Sequence, residues 1–437
     1  MAEAGAAATL THRRVLAIAL PIVLSNATIP LLGAVDTGVI GRLGEAAPIG
    51  AVGLGSVILT SIYWIFGFLR MGTSGLVAQA RGAGDEAETG AHLLRALVIA
   101  AVAGLSLILL QSLLLTGAFA LAPASAEVEE MARRYLSIRI WGAPATIGLY
   151  ALTGWLIALE RTRLVLVLQL VMNGLNVLLD VGFVLGLGWG VGGVALATLI
   201  AEWSGLLLAL WFARDGLRAG LRRALFAGGA MRRLWRVNSD ILVRSVLLQG
   251  SFTCFMFITA GQGDTVLAAN QVLLQFLSFV AYALDGFAFA AESLVGQAVG
   301  ARRPDRLRRA ALISSQWGVG GAFALALVFA LGGTAIIDLL TTAPDVRAEA
   351  RHYLPWLVAA PLVGVASWML DGIFIGATRT REMRNAMVVA VGVYAVLLLI
   401  LPRFMGNHGL WAALTALNAL RGLTMWRLYP RVAAAAA

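Results

Sequence analysis

Gly75-Leu-Val-Ala-Gln79-Ala-Arg-Gly-Ala-Gly84 aligns without gaps on Ser293-Leu-Val-Gly-Gln297-Ala-Val-Gly-Ala-Arg302, 218 residues further along the 437-residue chain. Self-similarity at a fixed spacing of half the chain marks a duplicated structural unit. The same offset carries Glu160-Arg-Thr-Arg163 onto Thr378-Arg-Thr-Arg381, and an offset one residue smaller loosely relates Gly193–Thr198 to Leu410–Thr415. The chain is therefore expected to be two copies of one fold.

Composition tells what each copy is made of. Sixty per cent of the residues are hydrophobic and 13% are charged, with mean hydropathy +0.85, where a soluble domain carries roughly 25% charged residues. Apolar stretches of about 20 residues, enough to cross a hydrocarbon core of about 30 Å, recur about twelve times. They run from Val15–Ile40 to Leu410–Leu428, and the fifth, sixth, seventh and tenth are Leu164–Leu187, Val191–Phe212, Asp240–Gly261 and Tyr353–Thr378. The expected fold class is an all-α polytopic membrane protein of two six-helix lobes. Six is even, so both copies enter the membrane from the same side. A pseudo-two-fold along the membrane normal then relates them and leaves a cleft between. The domains expected are residues 1–213, a basic linker 214–238, and residues 239–437.

The net charge of +10 comes from arginine, since the chain has no lysine, and the arginines fall on alternate connections: Arg13-Arg14, Arg81 to Arg95, Arg161 to Arg163, Arg214 to Arg236, Arg302 to Arg309, Arg379 to Arg384 and Arg421 to Arg431. By the positive-inside rule those connections and both termini face the cytoplasm. This pattern argues against nucleic acid as a partner and for membrane lipids, with the linker arginines set against anionic headgroups. Met1–Thr9 is small and uncharged apart from Glu3 and runs into a full-length span with no cleavage site after a short apolar core, so no signal peptide is expected. The lone Cys254 excludes a disulfide within the chain and is expected to be a small buried thiol.

Acids inside spans carry the functional signal, because a carboxylate at membrane depth must be paired, wetted or protonated. Asp36 lies in the first span. In the fifth, Asn173, Asn176 and Asp180 are spaced by three and four residues and share one helical face. Thr198 follows in the sixth span, with Glu202 one turn later. Two carboxyls in one low-dielectric pocket cannot both ionise cheaply, which makes a proton carrier. With amide and hydroxyl oxygens beside them, they also make a set that suits a hard cation such as Na⁺. Pro21 and Pro30 cannot donate to the carbonyls of Ala17 and Asn26, so the first helix can hinge there. Asp285 and Asp371 in the eighth and tenth spans are further candidates for coupling or substrate contact, or for an ion pair with a nearby arginine. At the repeat offset Asp36 corresponds to Cys254, so the coupling set is expected in one lobe only.

Two six-helix halves, Val35-Asp36-Thr37-Gly38, the paired Gln-Ala-x-Gly-Ala motifs, and Ala377-Thr-Arg-Thr-Arg-Glu-Met-Arg-Asn-Ala386 resemble the multidrug and toxic compound extrusion (MATE) transporters, within them the DNA-damage-inducible protein F branch. The resemblance covers essentially the whole chain. It implies cation or proton binding at Asp36, Asn176, Asp180 and Thr198, a further carboxylate in the helix of Asp371, and bending of the first helix near Pro21 and Pro30; Asn173, Glu202 and Asp285 stand as further candidates from their place in the spans. It implies a secondary active exporter, a monomer in a bacterial inner membrane, which exchanges H⁺, or as second choice Na⁺, for small lipophilic and often cationic compounds by rocking its lobes. The alternative within the wider superfamily is a lipid-linked saccharide flippase, for which Arg139 and Arg244 are the only candidates for a basic cleft. No phosphate-binding loop, nucleophile motif or zinc spacing occurs, and His12, His92, His352 and His408 lie near loops. Neither an enzyme nor a resident metal or cofactor is expected.

Overall fold

The computed structural model describes residues 10–42, 45–121, 125–221 and 228–436. Expectations for Met1–Thr9 and for linker residues 222–227 lie outside them. The described residues form twelve helical rods. In the first half these are α1 (His12–Gly41), α2 (Ala46–Trp64, continued by Phe68–Gly82), α3 (Glu86–Leu109, with a short Gln111–Leu121 after it), α4 (Ala126–Arg139 with Ala143–Ala158), α5 (Thr162–Asp180, with a π-helical turn Val181–Gly186) and α6 (Gly190–Gly220). In the second half they are α7 (Gly228–Ala260), α8 (Asp264–Gly300), α9 (Pro304–Leu340), α10 (Pro344–Gly376), α11 (Thr380–Met405) and α12 (Asn407–Ala433). Ten spans among the described residues are long and apolar enough to cross a membrane, and as helices they satisfy their backbone internally, as lipid requires.

The duplication is written into the backbone. Ala46, Glu86, Ala126 and Thr162 open helices whose counterparts open at Asp264, Pro304, Pro344 and Thr380, each 218 residues on. The helix ends match as closely. Gly84, Glu160, Arg302 and Thr378 all have positive φ, at 75°, 60°, 52° and 52°. Each sits where a Schellman turn closes: the Asp85, Arg161, Arg303 and Arg379 amides donate to the Ala80, Leu156, Ala298 and Phe374 carbonyls at 2.8–3.0 Å. The left-handed position normally favours glycine, yet three of the four are not. A close approach repeats too. A Cβ on Gly154 would strike the Arg70 carbonyl, and one on Gly372 the Ala288 carbonyl, again 218 residues away on both sides. These approaches belong to α4 and α10, the most enclosed spans, with 67% and 61% of their apolar windows buried against 44% or less in the others.

The helices fall into two compact units, one of Leu24–Ala80 with Asp85–Asn238, the other of Met1–Val23, Arg81–Gly84 and Ser239–Ala437. Continuous helices therefore change unit: α1 does so after Val23 and α7 after Asn238. Of the expected linker, the stretch to Gly220 prolongs α6 and that from Gly228 opens α7. The helix α1 runs unbroken through Pro21 and Pro30. Ala17 and Asn26, four residues before the prolines, each make an interaction of their own, and the Pro30 side chain lies outside the described residues. Cys254 corrects an expectation, being exposed rather than buried. It lies on an outward stripe of α7 with the exposed Val243, Val246 and Phe257, a face on which a thiol, like the apolar side chains around it, needs no polar partner.

Candidate functional site

Within the first unit, α1, α5 and α6 bring the expected polar residues together. The helical spacing of four places Asn176 and Asp180 on one face of α5, and both are fully enclosed. Asn176 donates through Nδ2 to Thr198 Oγ1 at 3.1 Å, and Thr198 donates onward to the Val194 carbonyl at 3.0 Å. Asp36 comes within hydrogen-bonding reach of Asp180 from α1. Oδ1 of Asp36, both carboxylate oxygens of Asp180 and Oδ1 of Asn176 are buried with no protein donor. Carboxylate and amide oxygens accept only, and two facing carboxylates repel. The cluster is a set of convergent acceptors that calls for a proton or a small hard cation between them.

Asn173, one turn before Asn176, is held away from that cluster. It donates to Thr28 Oγ1 at 2.8 Å and accepts from Gln169 at 3.2 Å, while Thr28 donates to the Ser25 carbonyl at 2.7 Å. This string ties α5 to the middle of α1. Glu202 also has a partner. Arg139 of α4 clamps it with two parallel hydrogen bonds of 2.6 and 2.9 Å, and both side chains are buried. The Arg139 guanidinium also acts electrostatically on Asp36 and Asp180. Sequence reasoning missed this pairing across 63 positions; the available signal was one arginine and one glutamate of opposite charge, each inside an apolar stretch. An apolar cluster that includes Tyr63, Tyr135, Leu136, Ile140 and Val194 packs around them.

The second unit carries a different arrangement. Asp371 of α10 is pinned between Arg244 of α7 and Arg421 of α12, the latter at 2.7 Å, and Arg421 also donates to Asn418 at 2.9 Å. Asp285 lies half-buried on α8, near Tyr282. The positions equivalent to Asp36, Asn176 and Asp180 are Cys254, Tyr394 and Leu398, and the Tyr394 hydroxyl is spent on the Ser251 carbonyl at 3.0 Å. Among the described residues no group of three histidine, cysteine or acidic side chains is placed to hold a metal. His352 and His408, 56 residues apart, do meet, with their Nε2 atoms 3.0 Å apart, and Trp356 donates to His408 Nδ1 at 3.0 Å.

Two copies of a six-helix unit, all-helical and polytopic, with an acceptor cluster at membrane depth in one copy, define a membrane transporter rather than an enzyme. The chain belongs to the MatE family: that family's model matches it twice, over residues 21–181 and 241–401. It is 41% identical over 419 residues to the DNA damage-inducible protein F of Escherichia coli strain K12, covering 95% of this chain and 91% of that one. It is 29% identical over 380 residues to the probable multidrug resistance protein NorM of a Synechococcus strain, covering 82% and 78%. Among solved structures, its fold superposes with TM-score 0.85 on the Vibrio cholerae MATE transporter VcmN in the bent form, at 21% identity and 97% coverage of each chain.

Proposed function

We propose that the protein is a proton-coupled exporter of small lipophilic, often cationic compounds, with Asp36, Asp180, Asn176 and Thr198 as its coupling site. The observation that carries this reading is the convergence of Asp36 and Asp180, whose buried oxygens have no protein donor. A proton between the two carboxyls satisfies that geometry most simply; Na⁺ is the second choice, with the oxygens of Asn176 and Thr198 as further ligands. One elementary charge moving inward gains about 2.3 kcal/mol per 100 mV, enough to drive export. The relatives named as multidrug resistance proteins support the substrate class. The arginine-rich helix ends and both termini are assigned to the cytoplasmic side of a bacterial inner membrane, and the protein to a monomer.

Coupling works through α1. This helix spans the boundary between the two units near Pro21 and carries Asp36 at its far end. Binding or losing a proton at Asp36 changes what draws it to α5, and the prolines let the helix respond by bending. The expected domains 1–213 and 239–437, joined by 214–238, are taken as the rocking lobes, with the exchange that Met1–Val23 goes with the second and the linker residues up to Asn238 with the first. Asp371, held by two arginines, is assigned to stability, as is Glu202; Asn173 positions α5, and Asp285 has no role in the coupling set. The saccharide-flippase alternative loses ground, since Arg139 is neutralised by Glu202 and Arg244 shares Asp371.

Reconstitution in vesicles with separately imposed pH and Na⁺ gradients, following an ethidium-like cation, tests the reading. Transport is expected to follow the pH gradient and to fall at least tenfold in both Asp36→Asn and Asp180→Asn. Transport indifferent to both gradients, or unchanged in both variants, rejects it; a response to Na⁺ alone moves the coupling ion to the second choice.

A further inference from the structure

The repeated motif at Gly75–Gly84 and Ser293–Arg302, which ion coupling leaves unused, shapes a pocket within the unit that holds α8 and α9. A cavity of about 210 Å³ lies there, where ~10–15 Å³ suffices for one water. Arg14 of α1, Arg81 and Gly82 at the end of α2, Gln297 of α8 and Arg306 of α9 line it, with Leu10 at its edge, and none of its lining residues is a carboxylate. Its walls are held in place. Trp317 of α9 donates to His12 Nδ1 at 3.2 Å and anchors the start of α1, and Arg14 donates to Gln297 Oε1 at 3.4 Å. Gly82 has no Cβ, which lets the last turn of α2 rest on the Gln297 carbonyl. Asp305, the acid beside Arg306, is already engaged by Arg303 at 2.9 and 3.0 Å.

The other copy supplies the contrast. At the repeat offset Gln297 corresponds to Gln79 and Arg306 to Glu88. In that copy Gln79 accepts from Arg233 at 2.6 Å, and Glu88 takes Arg95 at 2.6 Å with His92 at 3.3 Å. That helix end has a carboxylate of its own among its basic groups; in the copy with the pocket an arginine stands in the carboxylate's place. We propose that this pocket is a binding site for a phosphate-bearing anion, presented either by an anionic lipid headgroup or as a free phosphate. Guanidiniums converging from three helices match the oxygens of a phosphate in number and geometry, and a basic pocket between helices at an arginine-rich membrane face is where anionic headgroups collect. The site is independent of the coupling reading.

The full-length protein, purified in detergent, is titrated with phosphatidylglycerol, phosphatidylcholine or inorganic phosphate while its thermal unfolding is followed. Phosphatidylglycerol is expected to raise the unfolding temperature and phosphatidylcholine to leave it unchanged. Arg306→Glu, which installs the carboxylate of the other copy, is expected to weaken the phosphatidylglycerol effect about thirtyfold, the loss of one favourable charge and the gain of one unfavourable. Arg309→Glu, three residues further along the same helix at an exposed position outside the pocket lining, leaves it intact. Protection by inorganic phosphate with the same sensitivity to Arg306→Glu assigns the site to a soluble phosphate. No protection by either ligand, or equal losses in Arg306→Glu and Arg309→Glu, overturns the proposal. If Arg306→Glu does not fold, Arg306→Gln serves, with a smaller loss of the same pattern.

Discussion

Asp36 and Asp180 are 144 positions apart and meet with three buried oxygens that have no protein donor, whereas Glu202 and Asp371 are ion-paired to arginines, with only Oδ1 of Asp371 left without a hydrogen bond. That difference separates a group able to exchange an ion from one that holds helices together. Buried ion pairs cost most when broken one-sidedly. Glu202→Gln is therefore expected to destabilise the protein by about 3–5 kcal/mol, while the double change Arg139→Met with Glu202→Leu recovers most of the loss in thermal unfolding. Asp371→Asn leaves Arg244 and Arg421 facing each other and is expected to lower stability by a similar amount. Whatever protein survives purification should keep its dependence on the imposed pH gradient, measured in the same vesicles. At the coupling cluster, Thr198→Ala removes the hydroxyl that the Asn176 amide donates to; a fall in coupled transport of about tenfold is expected, the worth of one buried hydrogen bond of about 1–1.5 kcal/mol.

At the scale of the element, the helix ends record the duplication better than their sequences do. Gly84, Glu160, Arg302 and Thr378 share one backbone conformation, although only the glycine and the neighbouring turn hydrogen bonds fit the usual rule. A side chain at a left-handed position costs about 1–2 kcal/mol, and a Cβ on Gly84 would meet no atom within 4 Å, so the conformational cost stands alone there. Gly84→Ala is expected to lower stability by about 1 kcal/mol. The reverse change, Thr378→Gly, is expected to leave stability unchanged or raise it by up to about 1 kcal/mol, because relief of a β-branched residue at positive φ offsets the added freedom of the unfolded chain. Denaturation of the two variants side by side checks both signs. Gly372 is a different case: its Cβ would strike the Ala288 backbone, so Gly372→Val should be much more disruptive than Gly84→Ala in the same measurement.

For the whole molecule, the division into units does not follow the division of the sequence. The first turns of α1 belong with α8 to α12, and those of α7 with α2 to α6. A fragment of residues 228–437 contains five complete helices of its unit but lacks Met1–Val23. It is expected to be poorly folded alone and to regain protease resistance when co-expressed with residues 1–221; equal resistance of the lone fragment would contradict that account. The exchange of helix starts was invisible in the sequence, because apolar periodicity reports that a helix is buried and not which neighbours bury it.

The two-fold repeat, the all-helical membrane class and the candidates Asp36, Asn176, Asp180 and Thr198 were legible from the chain alone. Each depends on a local property: an apolar stretch long enough for lipid, a fixed offset, or a polar group at a depth where its cost is high. The repeat motif was equally legible as helix packing, and its part in a three-arginine pocket was not. Tertiary structure decided which acids have partners. Glu202 finds Arg139 across 63 positions and Asp371 finds Arg244 and Arg421 across 127 and 50, while Asp36 and Asp180 face each other, within the field of Arg139 but with no hydrogen bond from it. Charge satisfaction is a matter of distance in space, and the order of residues along a helix does not encode the arginine that a different helix brings to it.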